Sequence, residues 1–382
     1  RTIYSRIKKR NKTNKFDKLN TSFYKKAQNT FLLLAKKKKN YLVFDSSENT
    51  KELEKKILST VLKKINWFKM TTTGFLNPIN STKLISMDHF LNEMIALYKL
   101  NRFPKVLLLN GKKGIGKFTL VLHFLNYIFT LNEKKPYNFN EKTINSESIF
   151  YKQLLNKTSQ NVMLIKAEEH RNIKIEDIRS LKSILSRSSL SSDPRFIIID
   201  EVEFMNENST NALLKSLEEP SNNNFFILIN NQQVNLIETI SSRCLKSNIF
   251  LDASKKSEVI NYLIEDRGLQ NLFDFNENLS PGLFLKFNEI YFKYKISESD
   301  NIFTKLNILI NGYKKDKNKS LISMAYFLID YCFFNKIKNN ENDIDFLLNT
   351  KSSIVRIIHD FVQFNLNINS VINLIRIKLS NV

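Results

Sequence analysis

The chain has 382 residues, 42% of them hydrophobic, and its formal net charge is +22. This length predicts two or three domains with cores of their own and excludes a single small fold. Two cysteines and four scattered histidines exclude a disulfide framework and a four-thiolate zinc site, and no apolar run approaches the roughly 20 residues of a membrane span, so we expect a cytoplasmic protein.

The first 70 residues carry most of the positive charge, with 20 Lys and Arg against 5 Asp and Glu, while the remaining 312 residues hold 39 against 32. Clustered basic residues are typical of nucleic-acid binding, but an excess of Asn, Lys, Ile and Phe is equally typical of A+T-rich coding. We attribute most of the charge to solvated surface and codon bias. The opening RTIYSRIKKR lacks the apolar core of a signal peptide, and a start on Arg1 is compatible with a fragment of a longer product.

The predicted elements begin with a basic helix, a strand and a second helix. These are NTSFYKKAQNTFLLLAKKKK (20–39), YLVFDSS (41–47) and TKELEKKILSTVLKKI (50–65). Met70 and the polar stretch TTTGFLNPINST then form a break that resembles the start of a second protein.

This first segment resembles the C-terminal part of thymidylate kinases. The stretch SRIKKRNKTNKFDK is similar to that family's arginine-bearing lid, which implies that Arg6 and Arg10 match lid positions contacting transferred phosphates. Asn14 and Lys15 stand where the family usually has Asp-Arg, and the kinase's own phosphate loop and deoxynucleotide pocket do not precede them. We therefore interpret residues 1–69 as an inactive kinase fragment joined to a second protein.

Four short apolar runs, separated by helical stretches, predict the core of the second part. They are KVLLLN (105–110), NVMLIK (161–166), RFIIID (195–200) and FFILIN (225–230). Buried runs of this kind indicate an α/β fold, a parallel sheet with helices on both faces. After about residue 250 the pattern is helical to the end.

A glycine-rich loop, GKKGIGK (111–117), lies between the first of these strands and the helix KFTLVLHFLNYIF. Phosphate loops need glycines so that backbone amides can approach the phosphates, a lysine, and a hydroxyl for Mg²⁺. Phe118 occupies the hydroxyl position, and the helical turn of about 100° per residue should carry Thr119 away from it. The nucleotide-binding candidates of this degenerate loop are Gly111, Gly114, Gly116, Lys117 and Thr119.

The strand RFIIID supplies two acids, Asp200 and the following Glu201. In a nucleotide site Asp200 would hold the water shell of Mg²⁺ and Glu201 would orient the attacking water. Acids at strand ends are also common structural features, and only the preceding glycine loop favours the nucleotide interpretation.

With the next motifs, NALLKSLEEP (211–220) and SSRC (241–244), the sequence resembles the clamp-loader branch of the AAA+ ATPases, and most closely the delta-prime subunits of bacterial DNA polymerase III. NIKIEDIRSL (172–181) is similar to another segment of that family. The resemblance covers about residues 80–290. It implies an AAA+ P-loop NTPase-like fold, a small helical lid and a helical collar.

The resemblance also implies roles for individual residues. Leu217, Glu218, Glu219 and Pro220 match the family's Leu-Glu-Glu-Pro motif. Asn230 is at the sensor-1 position, and Arg243, between Ser242 and Cys244, is at the position of an arginine finger that acts on the neighbouring subunit's ATP. Cys244 itself is interpreted as a packed thiol, because no histidine lies near it in sequence.

The sequence departs from the family in three places, and the first two predict lost catalysis. Phe118 replaces the metal-binding hydroxyl, and Gly282, in the lid motif Ser280-Pro281-Gly282, occupies the place of the sensor-2 arginine. The cysteine-rich module that many relatives insert is missing from residues 131–160, so we expect no zinc.

The resulting prediction is a largely non-catalytic delta-prime-like subunit that presents Arg243 to a neighbouring ATPase and helps load the sliding clamp. The implied partners are clamp-loader subunits of delta and gamma/tau type, with clamp and primer-template DNA reached through the complex. No cofactor is required, although ATP with Mg²⁺ could bind without turnover. The predicted domains are 1–69 (kinase-like), 70–250 (AAA+), 251–289 (lid) and 290–382 (collar).

Three alternatives stay open. The chain could be an active ATPase that uses Lys117, Asp200 and Glu201. It could be part of a bifunctional product with thymidylate kinase activity, whose missing half is encoded upstream. It could also bind DNA directly through the basic N-terminus, in which case deleting residues 1–69 would abolish binding.

Overall fold

The computed structural model describes residues 21–37, 53–54, 57, 78–167, 172–185, 193–221, 223–273, 279–338 and 344–380. The chain divides into two compact units, residues 1–69 and 70–382. In the first unit, helix α1 (Thr21–Lys37) confirms the predicted basic helix. The strand predicted at 41–47 and most of the helix predicted at 50–65 lie outside the described residues.

A five-stranded parallel sheet forms the centre of the second unit, with the spatial order β2-β3-β4-β1-β5. The strands are β1 (Val106–Asn110), β2 (Val162–Lys166), β3 (Arg195–Asp200), β4 (Asn224–Asn230) and β5 (Leu245–Asn248). The four predicted strands are present with bounds shifted by at most one residue. The carboxyl ends of all five strands meet at one edge of the sheet, where the polar residues of the candidate site lie.

Helices cover both faces of this sheet, which confirms the predicted α/β fold class. They are α2 (Asp88–Lys99), α3 (Lys117–Thr130), α4 (Ile149–Leu155), α5 (Ile175–Leu185), α6 (Glu207–Glu218) and α7 (Glu238–Ser241). Because side chains alternate along a strand, Leu107 and Leu109 of β1 pack with α2 and α3, whereas Val106 and Leu108 pack with α5 and α6.

The fifth strand, β5, was not predicted from the sequence. It is an edge strand of four residues, LKSN, whose Leu245 is 57% exposed, so it has no apolar run to mark it. The opposite edge is β2, and its Leu164 is 42% exposed. The position predicted for NVMLIK was therefore right, but its predicted burial was wrong.

Beyond the sheet the described residues are helical, as predicted. The helices are α8 (Ala253–Arg267), α9 (Pro281–Tyr294), α10 (Ile302–Asp316), α11 (Lys319–Lys338), α12 (Ile344–Phe364) and α13 (Ile368–Ser380). They share one hydrophobic cluster, and α9 runs across the boundary predicted between residues 289 and 290. The predicted domain bounds stay predictions. None of the helices described is both long and apolar enough to cross a membrane.

A fully buried histidine joins α3 to two segments that precede and follow it. His123 donates from Nε2 to the carbonyl oxygen of Ser81 at 3.1 Å, and its Nδ1 accepts from the hydroxyl of Tyr137 at 3.0 Å. Burial lowers the pKa of His123 to about 4, so the ring is neutral in the folded chain.

We expect the free energy of unfolding to fall as the pH is lowered from 6.5 towards 4. In this window the unfolded chain protonates His123, whose ordinary pKa is about 6.5, while the folded chain does not, so acid favours unfolding. At about 1.4 kcal/mol per pKa unit, the loss at pH 5 is about 2 kcal/mol. Urea unfolding at pH 7 and pH 5 measures it, with His123→Gln removing this share and the exposed His359→Gln as control. Equal pH dependence of the wild-type chain and His123→Gln would contradict the expectation.

Candidate functional site

The glycine-rich loop lies at the carboxyl edge of the sheet, between β1 and α3. Steric restrictions explain why glycine occupies three of its positions. A Cβ on Gly111 would lie 2.3 Å from the carbonyl oxygen of Ile249, where the chain passes after β5. Gly114 and Gly116 have φ angles of +81° and +103°, in the left-handed region that side chains rarely adopt. The strand-to-helix turn therefore requires these glycines whether or not a phosphate binds.

Lys117, the lysine of the loop, is buried against the loop's own backbone. Its Nζ donates to the carbonyl oxygens of Gly111 at 2.6 Å and Lys112 at 2.8 Å, and the residue is only 2% exposed. Burial lowers the pKa of Lys117 to about 8, against the opposing effect of the nearby Asp200 and Glu203. In this conformation the ammonium group is bound within the loop.

Both predicted acids have lysine partners. Asp200, at the end of β3, is buried, and its Oδ2 lies 3.2 Å from Nζ of Lys166. Glu201 has a left-handed φ of 62°, and its Oε1 lies 2.7 Å from Nζ of Lys113. Sequence reasoning missed Lys166, which ends β2 directly opposite Asp200 in the strand register.

Asn230, at the sensor-1 position, is bonded to its neighbours in the sheet. Its Nδ2 donates to Oδ1 of Asn110 at 2.8 Å, and its Oδ1 accepts from the backbone N–H of Gln232 at 2.9 Å. Asn110 in turn donates to Oδ1 of Asn248 at 3.1 Å. The ends of β4, β1 and β5 are thus linked by three asparagine amides.

Glu203 is a buried acid that sequence reasoning missed. Its Oε1 accepts from the backbone N–H of Asn231 at 3.0 Å, while its Oε2 has no hydrogen-bond partner among the described residues. A carboxylate in a 3₁₀ turn gives no signal in a sequence pattern. Its negative charge raises the pKa of Lys117 and so opposes part of the lowering that burial causes.

A cavity of about 650 Å³ opens beside the loop. Of the predicted site residues, those that line it are Gly114, Gly116, Lys117, Thr119, Asp200 and Glu201. Gly111 and Asn230 do not. Phe118 also lines the cavity and packs against the sheet core, and the cavity extends over the first turn of α3 to Thr119. The direction predicted for the Thr119 hydroxyl stays a prediction.

The lid motif lies directly on the loop. The backbone N–H of Gly282, in the first turn of α9, donates to the carbonyl oxygen of Gly114 at 2.8 Å. A Cβ on Gly282 would lie 2.7 Å from Cα of Gly114, and one on Gly114 would lie 2.5 Å from Oγ of Ser280. Two backbones approach here so closely that no side chain fits at position 282.

These residues do not fit a nucleotide-bound magnesium ion in its usual place. The hydroxyl position is Phe118, and the carboxylate of Asp200 already faces the ammonium group of Lys166 at 3.2 Å. Within the described parts of the chain, no group of three or more His, Cys, Asp or Glu residues could hold a metal ion. Both acids of the predicted site are instead paired with lysines, Asp200 with Lys166 and Glu201 with Lys113.

Arg243 lies after α7, away from the loop in sequence, and its side chain is 32% exposed. Its Nε and Nη2 both lie 2.6 Å from Oε1 of Glu218, and its Nη1 donates to the carbonyl oxygen of Thr239 at 2.9 Å.

The next residue, Cys244, donates to the carbonyl oxygen of Ile240, and burial raises the pKa of the Cys244 thiol to about 11. An unreactive packed thiol is therefore the state of Cys244 near neutral pH. Arg6 and Arg10 lie outside the described residues.

Comparison with known proteins agrees with the motifs of this domain. Residues 87–251 match the family described as "DNA polymerase III, delta subunit". Two similar curated proteins are both DNA polymerase III subunit delta'. The one from Pseudomonas aeruginosa is 35% identical over 79 residues, which is 21% of this chain and 24% of that protein. The one from Buchnera aphidicola subsp. Baizongia pistaciae is 25% identical over 221 residues, 56% of this chain and 61% of that protein.

The chain thus matches less than two thirds of the length of these relatives. Among solved structures, a DNA polymerase III gamma-subunit-related protein from Thermotoga maritima is similar with a TM-score of 0.42 at 18% identity, over 75% of this chain and 98% of that one. That likeness is too weak to assign a function. The family model and the curated relatives support the resemblance to clamp-loader subunits of the delta-prime type.

Proposed function

We propose that the chain is a delta-prime-like clamp-loader subunit, a largely non-catalytic module that presents Arg243 to the ATP of a neighbouring subunit. Its partners in this role are loader subunits of delta and gamma/tau type, and it reaches the sliding clamp and primer-template DNA through their complex. DNA is then contacted through its backbone, without base readout. The role requires no bound nucleotide or zinc in this chain.

One observation carries the proposal: the charged groups that would bind phosphate and Mg²⁺ already contact other groups of this chain. Lys117 is bonded to the loop's carbonyls, Asp200 faces Lys166, and Glu201 faces Lys113. To bind and hydrolyse Mg²⁺-ATP, the chain would have to break these contacts, move the lid from Gly114, and supply a metal ligand that Phe118 lacks. Each step costs free energy, and an active site whose lysine and acids are unpaired does not have this cost.

Arg243 offers the chemistry that the loop does not. In nucleotide hydrolases an arginine finger stabilises the charge that develops on the transferred phosphoryl group, and it raises the rate by about 10³–10⁵. A finger that serves a neighbouring subunit's site has to lie at the surface of its own subunit. The partly exposed Arg243 meets this requirement.

An ATPase assay tests the proposal. We expect no ATP turnover by the purified chain and a rise in the ATPase of gamma/tau-type motor subunits when this chain is added. An inability to raise that activity, although the subunits assemble, would count against the proposed role.

A second candidate function, an ATPase in its own right, is favoured by the cavity. Gly114, Gly116, Lys117, Asp200 and Glu201 meet at one opening, as they would in an active site. Hydrolysis by the chain alone that Lys117→Ala abolishes would establish this alternative. The arginines on which the kinase alternative depends, Arg6 and Arg10, lie outside the described residues, and an upstream in-frame kinase coding region would support it.

A further inference from the structure

No residue of the Leu217–Pro220 motif lines the cavity. One of them, Glu218, instead binds Arg243. Glu218 is the last residue of α6, and its Oε1 accepts a hydrogen bond from Nε of Arg243 at 2.6 Å and forms an ion pair with Nη2 at 2.6 Å. The two residues are 25 positions apart in sequence, with Glu218 at the end of α6 and Arg243 in the turn that follows α7. Sequence motifs that looked separate are therefore in direct contact.

We propose that Glu218 is the positioning residue of the arginine finger: it fixes the Arg243 guanidinium group so that its outer edge faces the terminal phosphates of a nucleoside triphosphate bound by the neighbouring subunit. This inference rests on the proposed function. Glu218 itself does not touch the nucleotide and acts only through Arg243.

The geometry of the guanidinium group supports this role. Arginine has five N–H donors in a fixed planar fork. Glu218 takes the edge formed by Nε and Nη2, and the carbonyl oxygen of Thr239 takes one N–H of Nη1. The edge between Nη1 and Nη2 is then left for another partner, since the one other contact of Nη1 among the described residues is the 3.4 Å approach to Oγ of Ser242. This is the edge that can bind two phosphate oxygens at once.

Both members of the pair are anchored in one hydrophobic cluster. Leu217, the residue of α6 that precedes Glu218, is buried in this cluster. Ile240, three residues before Arg243, is fully buried in the same cluster. A functional side chain needs such support, because a displacement of about 1 Å at a reacting group can cost up to about 100-fold in rate.

The position of Glu218 is otherwise unfavourable. A negative charge at the carboxyl end of a helix is repelled by the helix dipole, and the side chain is 45% exposed, so an isolated ion pair there would add little stability. Orientation of Arg243 is a better reason for an acid at this place than stability of the fold.

The test uses the assembled loader, with ATP hydrolysis measured at saturating and limiting ATP. We expect Glu218→Gln to lower kcat at the site that Arg243 faces by about 10- to 100-fold, with KM and assembly unchanged, because Arg243 loses its carboxylate partner and is misplaced only at the reacting group. Glu219→Gln removes the same charge from the adjacent exposed residue and should leave kcat unchanged. In the background of Arg243→Ala, Glu218→Gln should have no further effect.

A second readout uses the chain without partners. The contact with Glu218 should shift and protect the Nε–H NMR signal of Arg243, and Glu218→Gln, but not Glu219→Gln, should alter that signal. If Arg243→Ala lowers kcat while Glu218→Gln matches the wild-type loader, the positioning role is wrong and the proposed function stands. If Arg243→Ala itself leaves kcat unchanged, the proposed function fails and this inference fails with it.

Discussion

Replacing Arg243 by alanine should lower ATP hydrolysis at the neighbouring subunit's site by about 10³-fold or more, the effect of losing an arginine finger. The guanidinium group is partly exposed and held by Glu218, and no other arginine occurs between residues 196 and 266. The total ATPase of the assembled loader should then fall to the share of the sites that Arg243 does not serve. The measurement is steady-state hydrolysis by the reconstituted complex.

Two variants separate this role from a general effect of charge. Lys246→Ala removes a positive charge three residues away, on the exposed strand β5, and should leave the ATPase near its wild-type value. Arg243→Lys keeps the charge but loses the planar fork and should be nearly as impaired as Arg243→Ala. If the site that residue 243 faces still hydrolyses ATP within about twofold of its wild-type rate in the assembled Arg243→Ala complex, the finger role is wrong.

Sequence reasoning predicted those parts of the fold that are marked by burial. The runs around Leu108, Ile198 and Leu228 are apolar because strands β1, β3 and β4 are covered on both faces, and such runs are visible in a single sequence. Strand β5 was missed because an edge strand that is solvated on both faces needs no apolar residues. It could be recognised only from the strand β1 to which it is bonded.

The candidate site shows the same division. The glycines and Lys117 could be found because a tight strand-to-helix turn restricts which residues fit within a short stretch. The partners Lys113, Lys166 and Glu218 could not, because each pairing depends on which strands and helices are neighbours, and the spacing of motifs along the chain does not determine that. Lys166 meets Asp200 only because β2 lies beside β3.

Gly282 is the case in which the sequence indicated the right residue for an incomplete reason. The resemblance identified it as a missing sensor-2 arginine. The contact with Gly114 shows that position 282 excludes any side chain while the lid lies on the loop, because a Cβ there would be 2.7 Å from Cα of Gly114. An arginine at position 282 and this contact between Gly282 and Gly114 therefore exclude one another.

Adding a methyl group to either glycine of this contact should destabilise the chain. Gly282→Ala forces the first turn of α9 away from the loop, an overpacking that we expect to cost about 1–3 kcal/mol. Gly114→Ala should cost more, because its Cβ would lie 2.5 Å from Oγ of Ser280 and its φ of +81° adds about 1–2 kcal/mol of backbone strain. Urea unfolding followed by far-UV circular dichroism measures both changes.

The double variant distinguishes a shared contact from two separate defects. If the lid truly rests on the loop, the first methyl group already separates Gly114 from Gly282, and the second then meets less resistance. The double variant should accordingly lose less stability than the two single variants added together, by about 0.5–3 kcal/mol. Strictly additive losses would mean that the two glycines do not oppose one another, and Gly282 would then be only a missing arginine, with no lid closed against the phosphate loop.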